Sequence, residues 1–156
     1  QWALLHSRRY RAAAISSCCE DPASSSYMVG PAYIDDLRHW GYPRPGDPAA
    51  QFWGPYSLAV NAERVDVPIL AQLTDYEYRF GPETFTRLRD SGKPIEMYVF
   101  PGEYHVKWQP RHRLAVYERA QDWFDFWLLG RDSSTPAKAD QYRRWRALRA
   151  PPAPQH

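Results

Sequence analysis

An α/β fold built on a parallel sheet is the architecture this sequence predicts, on three observations. Short apolar runs alternate with longer segments of helical spacing, in the order strand, helix, strand, helix, strand, helix. The strand runs are nearly continuous in their apolar residues, as expected where a sheet is covered on both faces. Glycines stand just after three helical segments, at Gly41, Gly92 and Gly130, where a helix is commonly stopped.

Taken in order, Trp2 to His6 is short and apolar and reads as the end of a helix. Arg11 to Cys18 (RAAAISSC) is small and apolar and reads as a buried strand. Glu20 to Ser26 is a loop. Tyr27 to Trp40 has helical spacing at Met28, Tyr33, Ile34 and Leu37. Tyr42 to Tyr56 holds four prolines and two glycines, and reads as a long irregular connection. Val65 to Leu73 (VDVPILAQL) is a second buried strand, with Pro68 near its start. Pro82 to Ser91 is a helix opened by proline, with Phe85 and Leu88 on one face. Ile95 to Phe100 (IEMYVF) is a third strand. Arg111 to Leu129 is the longest helix, with an expected apolar stripe at Leu114, Tyr117, Phe124, Trp127 and Leu128. Ala139 to Leu148 is a short basic helix, and the Pro151 to Pro154 segment is expected to be disordered. Three strands are few for such a sheet, and their edges need partners, so further sheet upstream of Gln1 is expected.

Composition narrows the function classes. At 156 residues and 44% hydrophobic content the chain can bury one core. No apolar run approaches the roughly 20 residues that span a bilayer. The net charge of +2 is uneven. Residues 131–156 carry six Lys/Arg against Asp132 and Asp140, a net of +4, which leaves the body at −2. The body therefore offers no electrostatic footprint for nucleic acid, and none is expected as a partner. The two cysteines, Cys18 and Cys19, are adjacent, and neither a disulfide framework nor a Cys-based zinc site follows. His105 and His112 stand seven apart with Glu103 nearby, but no third ligand has metal-site spacing, so no metal is expected, and the hydrolytic chemistry argued below needs no cofactor. The compartment stays open between bacterial cytoplasm and periplasm for a chain expected to be soluble.

The chemistry-bearing residues lie in two turns. In open α/β sheets, functional groups sit beyond the C-terminal ends of strands. After VPILAQL come Thr74, Asp75, Tyr76 and Glu77; after IEMYVF comes the turn PGEYH, ending in His105. Parallel neighbouring strands bring both turns to one edge of the sheet. An acid and a histidine about 28 residues apart then meet. A carboxylate on one imidazole nitrogen sets the tautomer and leaves the other nitrogen as a general base. Either Asp75 or Glu77 suits that role by position.

The run VPILAQLTDYEYRFGPETFTRLRDSGKPIEMYVFPGEYH, followed by RHRLAVYERAQDWFDFWL, resembles the C-terminal end of the catalytic domain of the prolyl oligopeptidase (S9) family of serine peptidases. The upstream YRAAAISSCCEDP and FWGPYSLAVNAERVDVPIL also fit, so the resemblance covers roughly residues 1–130. Within that family, QLTDYEYRFG and the aromatic, arginine-rich end are most similar to the lasso peptide isopeptidases. The resemblance implies a partial α/β-hydrolase fold, the C-terminal portion of a mainly parallel sheet flanked by helices. It divides the chain into residues 1–130, belonging to that domain, and a basic, Pro-rich tail at 131–156. It also implies His105 as the triad histidine. The family's acid falls about nine residues after the strand proline, and counting from Pro68 gives Glu77, with Asp75 as second choice. Leu73-Thr74 stands where many members have His-Gly, a departure from the pattern.

Such a hydrolase needs a serine on a Gly-x-Ser-x-Gly turn, in the chain order serine, acid, histidine. No such pattern occurs here; Ser57 has Gly54 three residues before it, not two. The expectation is that the serine lies five to ten residues before Gln1, outside this chain, and that these 156 residues alone are inactive. The implied substrate is a peptide, a lasso peptide where the likeness to the isopeptidases holds, and Trp40, Phe52, Trp53 and Trp108 are candidates to line its groove. A general S9 oligopeptidase or dipeptidyl aminopeptidase is the near alternative. A non-catalytic binding protein, using the basic QYRRWRALR segment against an anionic surface, is the distant one.

Overall fold

The computed structural model describes residues 1–17, 21, 31–44, 47 and 50–149. Three strands, β1 (Ala13–Ile15), β2 (Ile69–Thr74) and β3 (Ile95–Phe100), form a parallel sheet in the order β1-β2-β3. Ala13 pairs with Ile69 and Ile15 with Ala71; Ile69 pairs with Ile95 and Thr74 with Phe100. The helices are α1 (Trp2–His6), α2 (Pro31–His39), α3 (Ala50–Trp53), α4 (Asp75–Tyr78), α5 (Pro82–Asp90), α6 (Pro110–Leu129) and α7 (Ala139–Arg149).

Side-chain alternation along the strands builds two cores, one on each face of the sheet. Ile69 and Ile95 point to a cluster with Leu58, Ala62, Val65 and Leu88, bordered by α1 and α5. Leu70 points the other way, to Trp123 and Phe126 of α6 and Tyr142 and Trp145 of α7. β2 is buried at all six positions because it is central and covered on both sides. β1 is only half-buried, since it lies at a sheet edge and has one paired neighbour among the described residues.

Several boundaries differ from the sequence reading. β1 spans three described residues rather than eight, and Cys18 and Cys19 lie outside the described residues. β2 begins at Ile69, past Pro68, because Pro68 has no N–H for the ladder; its carbonyl accepts from Ala13 N instead. The helix expected over 27–40 is described from Pro31, and 27–30 lie outside the described residues, as does the 151–154 segment. The irregular connection carries the short helix α3 and a 3₁₀ turn at Ala62–Arg64 follows it. The expected α6 stripe is corrected. Phe124 and Trp127 do pack against the core, but Trp123 and Phe126 are the buried pair, and Leu114, Tyr117 and Leu128 are exposed. The run WFDFW permits several stripes at the same spacing, and packing of α7 against one flank selects among them. Trp123 meets Trp145 edge-on at 5.0 Å, and Phe126 lies 5.9 Å from Tyr142.

The basic segment is therefore folded onto the body. Arg144 Nε donates to Glu96 Oε1 at 2.7 Å, Arg146 donates to Asp132, Arg149 donates to the Phe126 carbonyl, and Arg143 pairs with Asp140 at 2.9 Å. These arginines are engaged within the chain, which weakens the anion-binding reading of the tail. Among the described residues, no helix is long and apolar enough to cross a membrane.

Candidate active site

The parallel register makes the site. Thr74 ends β2 directly beside Phe100, which ends β3, so the chain leaves both strands level at one edge. After β2, Thr-Asp-Tyr-Glu folds at once into α4 through a reciprocal cap. Thr74 Oγ1 accepts from Glu77 N at 3.1 Å, and Thr74 N donates to Glu77 Oε2 at 3.0 Å. The box fixes the Glu77 side chain pointing back over the strand end, with only 7% of it exposed. After β3, the chain reverses at Pro101-Gly102. Gly102 takes φ +66, a conformation glycine adopts freely, and its N–H donates to Asp75 Oδ2 at 3.0 Å. This bond ties the second turn to the first.

His105 and Glu77 meet across those turns. His105 Nδ1 lies 2.5 Å from Glu77 Oε1. Burial works to raise the Glu77 pKa, but the Thr74 amide, His105 and Lys107 outweigh it and hold the carboxyl below its ordinary value. An ionised carboxylate only accepts, so Nδ1–H is the donor, and in the neutral imidazole the lone pair is then on Nε2. The His105 side chain is 73% exposed, so the ring is open to a partner. Asp75, the second candidate acid, is not hydrogen-bonded to His105; it caps Tyr76 N and holds Gly102 instead. A cleft of about 350 Å³ lies beside the ring, lined by Asp75, Tyr76, Gly102, Glu103, Tyr104 and His105. Among the described residues no serine hydroxyl is hydrogen-bonded to His105.

Two further groups shape the site: Lys107, which the sequence did not single out, and Glu103, which it marked only as a neighbour of the two histidines. Lys107 is buried, and its Nζ lies 3.2 Å from Glu77 Oε2. Nothing in HVKW marks this lysine, because its partners come from three separate turns. Glu103 is also buried and organises the turn itself. Its Oε2 accepts from Trp108 N at 2.8 Å, and its Oε1 accepts from Gln109 N at 3.3 Å and from His112 Nδ1 at 2.6 Å. Burial opposes its charge, but these donors outweigh it and lower the pKa. The two histidines thus take different carboxylates rather than sharing a ligand set. The T-x-x-E spacing was the available signal that Glu77 would be ordered.

Of the expected groove aromatics, Trp108 and Trp40 are exposed and Phe52 is half-buried. Trp53 is corrected: it is buried, with ring contacts to Tyr42, Phe52 and Tyr56, so it is a packing residue.

The model of the prolyl oligopeptidase family matches residues 1–131. The lasso peptide isopeptidase AtxE2 of Asticcacaulis excentricus is 47% identical over 147 residues, covering 94% of this chain and 21% of that protein. The chain thus spans about a fifth of the length of that curated relative. The solved AtxE2 isopeptidase, both in the apo form and as a serine-to-alanine variant with Astexin3-dC4 bound, superposes with a TM-score of 0.88 at 46% identity, covering 95% of this chain and 23% of the other. The acylaminoacyl peptidase of Pyrococcus horikoshii shares the fold, with a TM-score of 0.60 at 20% identity over 88% of this chain and 23% of its own. By fold, by sequence and by the family model, the chain belongs to the prolyl oligopeptidase family.

Proposed function

We propose that this chain supplies the histidine and the acid of a serine isopeptidase that opens lasso peptides. The observation that carries the reading is the 2.5 Å bond from His105 Nδ1 to Glu77 Oε1, with the ring open to a cleft. The length ratio to AtxE2 supports a serine held elsewhere in the same protein, and the chain order serine, acid, histidine puts it before Glu77. The family division into a hydrolase portion at 1–130 and a tail at 131–156 belongs to this proposal; α7 of that tail packs on the hydrolase portion.

In the proposed cycle, His105 Nε2 takes the proton of the serine hydroxyl as its oxygen attacks the amide carbonyl. Glu77 stays ionised and stabilises the imidazolium through Nδ1–H. His105 then returns the proton to the departing amine, and water repeats the sequence on the acyl-enzyme. In a lasso substrate the bond cut is the amide between a side-chain carboxyl and the N-terminal amine. The exposed Tyr76 and Tyr104 lining the cleft suit contact with a bulky, folded peptide.

The test uses the natural full-length protein with a threaded lasso peptide and with its linear counterpart, followed by mass spectrometry. Gain of one water by the threaded peptide, abolished by His105→Ala, is the expected result. Cleavage of the linear peptide alone makes it a general peptidase of the family. Turnover that survives His105→Ala removes the assignment of the histidine.

A further inference from the structure

The geometry points to Lys107 as the positioning residue of the acid–histidine pair: its buried ammonium locks the second oxygen of Glu77, so that the first is presented to His105. This rests on the reading of Glu77 and His105 as the catalytic acid and base. Glu77 uses its two oxygens for different tasks. Oε1 faces His105 Nδ1, while Oε2 takes the Thr74 amide at 3.0 Å and Lys107 Nζ at 3.2 Å. The capping box alone holds Glu77 from its own helix. Lys107 adds a hold from the other side, on the turn that carries His105.

The ammonium is fully engaged. Beyond Glu77, Nζ donates to the Ser16 carbonyl, with Ser16 Oγ at 3.3 Å and the His105 carbonyl at 3.4 Å. Its acceptors thus lie just beyond the ends of all three strands: Ser16 after β1, Glu77 after β2 and His105 after β3. Only 4% of its side chain is exposed, against 7% for Glu77. A lysine buried this far is costly unless paired, so a surface role is excluded. Among the described residues, the charged and titratable groups hydrogen-bonded or ion-paired with the pair are Glu77 from α4 and His105 and Lys107 from the turn after β3; the segment after β1 offers only the uncharged Ser16.

Two consequences separate positioning from mere packing. The ammonium offsets the carboxylate, so removing it favours proton uptake by the Glu77–His105 pair as a unit. It also fixes the carboxylate rotamer, so removing it loosens Nδ1 and the direction of Nε2, a displacement that affects turnover more than binding.

The experiment uses the full-length protein with a lasso peptide substrate and four variants: Lys107→Met, Lys107→Gln, Glu77→Gln and the double variant Glu77→Gln/Lys107→Met. Lys107→Met is expected to lower kcat by about 10- to 100-fold with KM changed less than about 3-fold. The acid limb of its kcat/KM profile is expected to move up by about one pH unit. Lys107→Gln keeps a donor without the charge, and is expected to move the limb equally while losing less kcat. In the Glu77→Gln background, Lys107→Met is expected to lower kcat no further, since the partner is already neutral. The double variant also buries neither charge, so it reports on coupling even if Lys107→Met folds poorly.

An unmoved acid limb with kcat within twofold of wild type overturns the inference, as does a multiplicative loss in the double variant. His105→Ala run alongside keeps the two readings apart. If it stays active, the acid–histidine reading itself fails. If it is inactive while the lysine variants behave as wild type, only the role of Lys107 fails.

Discussion

Two acid–histidine pairs share one turn and nearly one geometry, yet their surroundings differ. His105 Nδ1 lies 2.5 Å from Glu77 Oε1, and His112 Nδ1 lies 2.6 Å from Glu103 Oε1. Both acids are buried and both are held below their ordinary pKa by donors around them. The difference lies in the ring. The His105 side chain is 73% exposed and borders a cleft, whereas His112 is 13% exposed and packs on Phe100 at 5.3 Å. The first pair leaves a nitrogen for chemistry. The second closes the Glu103 to His112 segment on itself, taking the amides of Trp108 and Gln109 as well. A short contact between a carboxylate and an imidazole therefore does not by itself mark a catalytic pair; what separates these two is the accessibility of the ring, which the proposed role of His105 requires.

The largest expected effect breaks the comparison most directly. In the full-length protein, His105→Ala and Glu77→Gln should each lower kcat/KM by about 10⁴-fold, with thermal stability changed little by the histidine substitution. His112→Ala and Glu103→Gln should do the opposite. They should lower Tm by several degrees, because amides at Trp108 and Gln109 lose their acceptor or the acceptor loses a donor, while kcat/KM falls less than about tenfold. Steady-state kinetics beside a melting curve for each variant decides it. An His112 variant as inactive as the His105 variant would make both pairs part of the chemistry.

The distinction was only partly legible in the sequence. The turn positions of Glu77 and His105 follow from parallel strands ending level, a rule that needs no side-chain detail. The identity of the acid did not follow from it, because Asp75 and Glu77 both lie within three residues of the strand end. The Thr74 cap decides between them: its box turns Glu77 inward, while Asp75 is left to hold Gly102. Lys107 stayed hidden because all three turns must be assembled before its acceptors exist. The α6 stripe was misplaced for a related reason. Aromatic residues crowd positions 123–127, so spacing alone cannot choose a face, and Tyr142 and Trp145 from α7 make the choice.

A third buried acid sharpens the comparison through pH. Asp21 has no cation or histidine partner among the described residues. It accepts from Thr84 N at 3.0 Å and from the Thr84 hydroxyl, near the start of α5. Burial dominates, and its pKa is pushed up from 3.8 to about 6. For Glu77 the folded pKa lies below 4.5, so its stabilisation is present above 4.5 and lost as pH falls through that value and below. For Asp21 the sign reverses. The folded state binds the proton more tightly, so stability is highest below 3.8 and declines as pH rises from there through 6. Two pKa units correspond to on the order of 2–3 kcal/mol. Asp21→Asn should flatten the loss between pH 4 and 6 in a Tm-against-pH series, and leave the acid-side loss in place. A series in which the variant keeps the wild-type slope over that range would show that Asp21 is ionised without cost.

The smallest effect concerns the bond that joins the two turns. Gly102 stands at φ +66 with nothing within 4 Å of the position a Cβ would take, so the constraint is conformational and not steric. Gly102→Ala should cost about 1 kcal/mol, the usual penalty for a side chain in the left-handed region. Asp75→Asn keeps an oxygen for the Gly102 amide and should cost less. If the Gly102–Asp75 bond only closes the turn, both variants should lower Tm slightly and leave kcat/KM within about twofold. If it sets the approach of His105 to Glu77, Gly102→Ala should lower kcat by more than its stability loss accounts for, at unchanged KM. The second outcome would make the exposed pair depend on its neighbouring turn as much as the buried pair does, and the contrast between them would then be one of solvent access alone.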